Sequence, residues 1–341
     1  MNTHTSANEE RLAVLDGWRG ISVLLVLATH LLPLGPKWLR MNETAGPMGM
    51  ALFFTLSGFL IVRFLLHHTS VPDFLIRRVA RIVPLAWAAM LVTLLMAGAP
   101  LEDYLPNFLF YANLPPQHLN DPGSHLWSLC VEMQFYVGIA LLVWLFGRRG
   151  LYLLPIVCLG ITIHRIVVHA PVDIVTWRRA DEILAGAMLA MAFEGKFGIR
   201  PSQLLSRMNA YVLIALLAVC SHPAIEPMNY VRPYVAATLV GVTLFAPPAR
   251  LARLLTSRAL GYVATISYAV YVIHHVLMFT WLGTGDKLAR YLKRPLLFAA
   301  TFLLAHISTF HFEYRFIGWG KRLSRSLQDR RSIKVAGQAH E

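Results

Sequence analysis

Cysteine and charge are both scarce in this chain. Its three cysteines, Cys130, Cys158 and Cys220, all fall inside long apolar runs. An odd number of thiols so placed offers neither a disulfide framework nor a metal-ligand spacing, and they read as small packing residues. Charged residues make up 14% of the chain and hydrophobic residues 56%, which excludes a solvated soluble domain and points to a polytopic membrane protein. Familiar catalytic signatures are missing too: there is no Gly-rich phosphate loop, no nucleophile elbow and no His-Glu-x-x-His. The chain has 14 histidines, but His164/His169 and His306/His311 are spaced to point to different faces of a helix, so no metal is expected. No segment reads as a cleavable signal peptide, because the first apolar run carries Asp16 and Arg19 and lacks a small-residue cleavage site. No internal repeat and no separate soluble domain can be discerned.

What is present is a series of membrane-length stretches, near 13–34, 47–66, 80–98, 127–147, 151–169, 180–194, 209–222, 231–247, 260–282 and 295–317. Pro- and Gly-rich turns such as 33-PLGP-36, 121-DPG-123 and 283-GTG-285 separate several of them. A bilayer needs roughly 20 apolar residues per helix, and the sixth and seventh stretches are the shortest. The expected fold is all-α, a bundle of about ten transmembrane helices over 1–317 followed by a basic tail over 318–341. The net charge of +13 belongs with this topology rather than with nucleic acid. With a cytoplasmic N-terminus, eighteen lysines and arginines fall on the inner side and nine on the outer, which places both termini in the cytoplasm. The long outer loop at 99–126 contains Glu102, Asp103 and Asp121 but no Lys or Arg. The tail suits an anionic lipid surface.

Polar groups inside these stretches mark candidate sites, since each is costly in hydrocarbon. Arg19 and His30 bracket the first span; eleven helical residues make about three turns, so both project from nearly one face about 16 Å apart. An interhelical salt bridge and a hydrogen-bonded histidine would suit the same pair. Ser57-Gly58 in the second span suits close helix packing. Arg77, Arg78 and Arg81 open the third span and suit either lipid phosphate or the phosphates of a ligand, with Pro84 tolerated early in that helix. Ser128, Glu132 and Tyr136 recur every four residues on one face of the fourth span, and Arg19 is an available partner for Glu132. Ser267, Tyr271 and His274 form a polar stripe on the ninth, with His275 projecting elsewhere.

Taken jointly, these residues resemble the acyltransferase-3 family of integral-membrane O-acyltransferases. The matching elements are Arg19 and His30 at the family's Arg-x10-His spacing, 53-FFTLSGFLI-61, 77-RRVARIVP-84, 127-WSLCVEMQFY-136, 178-RRADEILAG-186 and 267-SYAVYVIH-274. The family moves an acyl group, commonly acetyl, from cytoplasmic acyl-CoA to a hydroxyl of a sugar or other acceptor; O-antigen, exopolysaccharide, Nod factors, peptidoglycan and macrolides are acceptors within it. Similar proteins often end in an acid-x-Pro element, whereas this chain has 313-EYR-315, which leaves Glu313 without an assigned role. The fused extracytoplasmic domain of some members is not seen.

The resemblance implies a multi-pass inner-membrane enzyme in which Arg19 and His30 are essential. Arg77, Arg78 and Arg81 would receive the CoA phosphates, and the pantetheine arm would pass Arg19 towards His30. His30 would act as general base for direct attack on the thioester, in preference to forming an acyl-imidazole. Glu132 would hold Arg19. Tyr136, Tyr271 and His274 are candidate oxyanion donors, and Ser57, Arg178 and Ser267 are further substrate-facing candidates. Acyl-CoA is expected as co-substrate, with no bound cofactor, and the fold admits a homo-oligomer. A transporter or flippase of a glycan or other polar metabolite is the alternative for so many spans with internal Arg, His and Glu, but the paired halves of many transporters are not seen.

Overall fold

The computed structural model describes the backbone of residues 3–68 and 70–338 and the side chains of 13–68 and 70–327. Arg11 and the tail cations Arg330, Arg331 and Lys334, counted above for orientation, lie outside the described side chains. No strand occurs among the described residues. The helices are α1 (Thr3–Leu31), α2 (Met41–His67), α3 (Val71–Ala97), α4 (Tyr104–Phe108), α5 (Trp127–Phe146), α6 (Leu154–Val167), α7 (Asp181–Phe193), α8 (Arg200–Ser206), α9 (Ala210–Ser221), α10 (Arg232–Phe245), α11 (Ala249–Leu255), α12 (Arg258–Met278), α13 (Lys287–Ile307) and α14 (Tyr314–Gln338).

Six segments among the described residues are long and apolar enough to cross a membrane, or eight if each bent pair counts as one span. The bent pairs are α8–α9, at 92°, and α10–α11, at 100°. Helix α7 has 13 residues and is therefore about 20 Å long, short of the roughly 30 Å hydrocarbon core. Large apolar side chains face outward on the peripheral helices, among them Trp144 on α5, Ile156 on α6 and Leu292 on α13. Such a surface is at home in lipid, and the chain is a multi-pass membrane protein.

The third span begins earlier than its hydropathy indicates. Ser70 caps α3 by accepting a hydrogen bond from the Asp73 amide at 3.3 Å, and Pro72 sits in the first turn, where its missing N–H is harmless. Pro84 is consequently in the helix interior rather than near its start. Tyr268 of α12 donates to the Ile82 carbonyl at 2.6 Å, in the turn that Pro84 interrupts. At the other end of the chain, α14 runs across the 317/318 boundary unbroken and packs on α3.

The core is built on α2, which packs against α1 and α7. Contact with α7 is backbone to backbone. A Cβ on Gly58 would lie 1.8 Å from the Ile183 carbonyl oxygen, and one on Gly186 would lie 2.0 Å from that of Thr55. Only glycine permits this approach, the small-residue packing on which membrane helix pairs depend. It draws α7, with the loop before it, against the helices that carry the polar residues.

Candidate active site

His30 lies one residue before the end of α1 and is half-buried. Its Nδ1 is 3.1 Å from Nε2 of His274 on α12, and the two rings stack with centroids 5.2 Å apart. Nδ1 of His274 is in turn 3.0 Å from the Val270 carbonyl. That carbonyl can only accept, so His274 carries its proton on Nδ1 and presents a lone pair at Nε2. His30 must then donate from Nδ1, which leaves its own Nε2 as a free acceptor. These tautomers are assigned from the hydrogen-bond pattern.

A cavity of about 450 Å³ opens beside this pair, lined by His30, His125, Tyr271, His275, Trp127 and Arg179, together with Thr29, Gln117 and Ser124. His275 donates from Nδ1 to the Pro122 carbonyl at 3.1 Å, and His125 donates from Nε2 to that of Val272 at 3.1 Å. Its ring lies 5.2 Å from that of His30 and 4.5 Å from that of His125. His275 stays off the stripe of Ser267, Tyr271 and His274, as helical spacing requires, yet it lines the cavity and is no bystander. His125 and Arg179 were not singled out by sequence. His125 precedes α5 in a short 3-10 turn (Ser124–Leu126), outside any periodic run.

A second, narrower cavity of about 50 Å³ is lined by Arg19, Ser57, Glu132, Tyr136, Ser267, Arg78 and Arg81. Glu132 Oε1 accepts from both the Ser57 and Tyr136 hydroxyls. Arg19 lines the same cavity, but the carboxylate within salt-bridge reach is Asp16, at 3.4 Å, rather than Glu132. Phe53 lines this cavity and Tyr271 the wide one; their rings stack nearly parallel at 6.1 Å between the two spaces.

Towards the N-terminal end of α3, a third cavity of about 180 Å³ is lined by Arg77, Arg78, Arg81 and Lys321. Arg77 is held by Asp73 at 3.0 Å and donates to Ser324 at 3.3 Å. Arg78 lies over the Phe74 and Tyr136 rings at 5.9 and 5.7 Å. Arg78 and Arg81 border both the second and third cavities.

The candidate oxyanion and substrate donors have their protons engaged. Tyr136 donates to Glu132, Tyr271 to the His125 carbonyl, His274 to Val270 and Ser267 to Ala264. Arg178 pairs with Asp173 at 3.1 Å and does not line the wide cavity, whereas its neighbour Arg179 does. Glu313 accepts from Ser308 and Thr309 at 3.2 and 3.1 Å within a π-helical turn (Ser308–Glu313), a local role. No group of three or more His, Cys, Asp or Glu among the described residues is arranged to hold a metal ion.

Fold and site together define a multi-pass helical membrane protein with a row of internal cavities, cationic at one end and rich in histidine at the other. The chain belongs to the acyltransferase-3 family, whose Acyltransferase domain matches residues 12–312. It is similar to the peptidoglycan O-acetyltransferase OatA of Listeria monocytogenes, with 24% identity over 93% of this chain and 57% of that protein. It is also similar to YrhL of Bacillus subtilis, provisionally named a peptidoglycan O-acetyltransferase, with 25% identity over 80% of this chain and 49% of that protein. A provisionally named O-acetyltransferase of Staphylococcus aureus is 33% identical over 36% of this chain and 23% of its own length. The chain thus spans about half the length of the first two relatives. No solved structure matches it.

Proposed function

We propose that this protein is an inner-membrane O-acetyltransferase that moves an acetyl group from cytoplasmic acyl-CoA to a hydroxyl of a carbohydrate, with both termini on the cytoplasmic side. The observation that carries this reading is the relay from the Val270 carbonyl through His274 to His30, which leaves a neutral imidazole with a free Nε2 beside the wide cavity. A general base needs that arrangement. The names of the relatives point to a glycan acceptor. The excess of lysine and arginine on one side of the spans supports the orientation.

The arginine-lined cavity would receive the phosphates of CoA, for which guanidinium forks are suited. The roughly 16 Å between Arg19 and His30 along α1 is comparable to an extended pantetheine arm. His30 Nε2 then takes the proton of the acceptor hydroxyl as its oxygen bonds to the thioester carbonyl carbon. The C–S bond breaks, the acyl oxygen ester forms, and the CoA thiolate recovers the proton from the imidazolium. Atoms and charge balance without an acyl-enzyme.

The test is a gene deletion in the host with mass profiling of surface glycans and lipids, restored by wild type or by His30→Ala. One acyl ester should vanish and return only with the wild-type gene. Full restoration by His30→Ala would remove the base from the mechanism. A profile unchanged by deletion would overturn the transferase reading itself.

A further inference from the structure

Arg179 carries a charge that the described residues do not balance. Three guanidiniums, those of Arg165, Arg179 and Arg232, are 0%, 1% and 0% exposed. They face two carboxylates, Asp181 and Glu182, each 0% exposed. Arg165 pairs with Asp181, and Arg232 donates from Nε to Glu182 Oε1 at 2.8 Å. Arg179 approaches Glu182 Oε2 at 3.2 Å, but that oxygen makes no hydrogen bond. Arg179 Nε and Nη1 are likewise without a hydrogen-bond partner among the described residues. The cluster therefore holds one positive charge too many, and the guanidinium with most free donors lines the cavity of His30. An unpaired buried cation is strongly unfavourable unless an anion completes it.

We propose that Arg179 is the anion-recognising residue of the wide cavity, and that the acceptor is an acidic sugar whose carboxylate Arg179 binds while one of its hydroxyls faces His30. The sugar assignment rests on the transferase function proposed above; the anion site does not. Thr29, Gln117 and Ser124 supply polar groups for the remaining hydroxyls. Nε and Nη1, on different edges of the guanidinium, each keep an N–H for a carboxylate oxygen.

The test uses the full chain in lipid nanodiscs at constant ionic strength, with two pairs of sugars: glucuronate against glucose, and N-acetylmuramate against N-acetylglucosamine. Within each pair only the first carries a carboxylate. At least one acid should raise the unfolding temperature in a saturable way, as a ligand of the native state must, and its neutral partner should not. Arg179→Gln should abolish the shift without lowering the unfolding temperature of the unliganded protein, because it removes the unbalanced charge. Arg179→Lys should retain part of the shift. The proposal is overturned if neither acid shifts the wild type, if the shift survives in Arg179→Gln, or if Arg179→Gln alone lowers the unfolding temperature, which marks a structural cation. With acyl-CoA present, Arg179→Gln should raise KM for the acidic acceptor by roughly tenfold or more with kcat little changed; an equal fall in kcat on acidic and neutral acceptors would instead assign an oxyanion role. Binding needs no turnover, so acid binding without transfer would overturn the transferase reading and leave the anion site standing.

Discussion

At the scale of single residues, the histidine pair makes the sharpest demand. His274 gives His30 a defined tautomer by accepting its Nδ1 proton, so it is a positioning residue with a specific chemical requirement. Glutamine at 274 keeps an acceptor oxygen, whereas leucine removes it. Transfer activity should therefore fall roughly 10²-fold in His274→Leu, within the range for general-base function, and be largely retained in His274→Gln at matched expression. Equal activity in both variants, read as ester formed per mole of folded protein, would show that the relay is not needed. Glu132 poses a related case, since its Oε1 accepts two hydroxyl protons. Glu132→Gln preserves an acceptor for Ser57 and Tyr136, while Glu132→Leu strands both hydroxyls at about 1–3 kcal/mol each. Thermal unfolding should rank wild type and Gln well above Leu.

At the scale of elements, the crossing of α2 and α7 depends on two glycines that leave no room for a methyl group. Gly58→Ala drives a Cβ into the Ile183 carbonyl, and overpacking of this kind costs about 3 kcal/mol. Gly138→Ala on α5 is the control, since nothing lies within 4 Å of its added Cβ; it should be neutral or stabilising by roughly 0.5–1 kcal/mol. Unfolding temperatures in one detergent separate the two. These helices were largely legible in the sequence because membrane-length hydropathy is a strong signal. The same signal places α7, expected over 180–194, but overstates a 13-residue helix as a span, and it misses the polar first turns of α3. Arg19, His30, Glu132 and Tyr271 were legible as charged or polar groups in apolar runs. His125 was not, because it sits in a loop, and Arg179 was obscured by its neighbour: at the end of the 3-10 turn Thr176–Arg178, one residue separates a side chain paired with Asp173 from one lining the cavity. His275 was legible as lying off the stripe but not as a cavity residue. Helical spacing puts it off the stripe, but the stripe is not the only wall of the cavity, and the loop through Pro122 closes on its far side.

At the scale of the whole molecule, charge is distributed along the path between the two ends of α1. Arg77, Arg78 and Arg81 converge with Lys321 where α3 meets α14, so the last helix completes a cavity begun by the third. The three arginines are not equivalent. Arg77 has Asp73 and Ser324 as partners already, whereas Arg78 and Arg81 also border the narrower cavity that Arg19 and Glu132 line. If CoA phosphates dock here, Arg78→Ala and Arg81→Ala each lose a charge-assisted hydrogen bond worth about 1.5–3 kcal/mol, a roughly 10- to 100-fold weakening of Kd. Arg77→Ala should weaken binding less, because Asp73 and Ser324 already occupy donors of Arg77. Titration calorimetry with CoA on the solubilised full chain measures all three, and repeating it from low to high salt should reduce affinity as screening sets in. An affinity indifferent to salt and to all three substitutions would move the donor site away from this end of the molecule. The ordering of Arg77 below the other two is the more discriminating result, because a diffuse basic surface would treat the three alike.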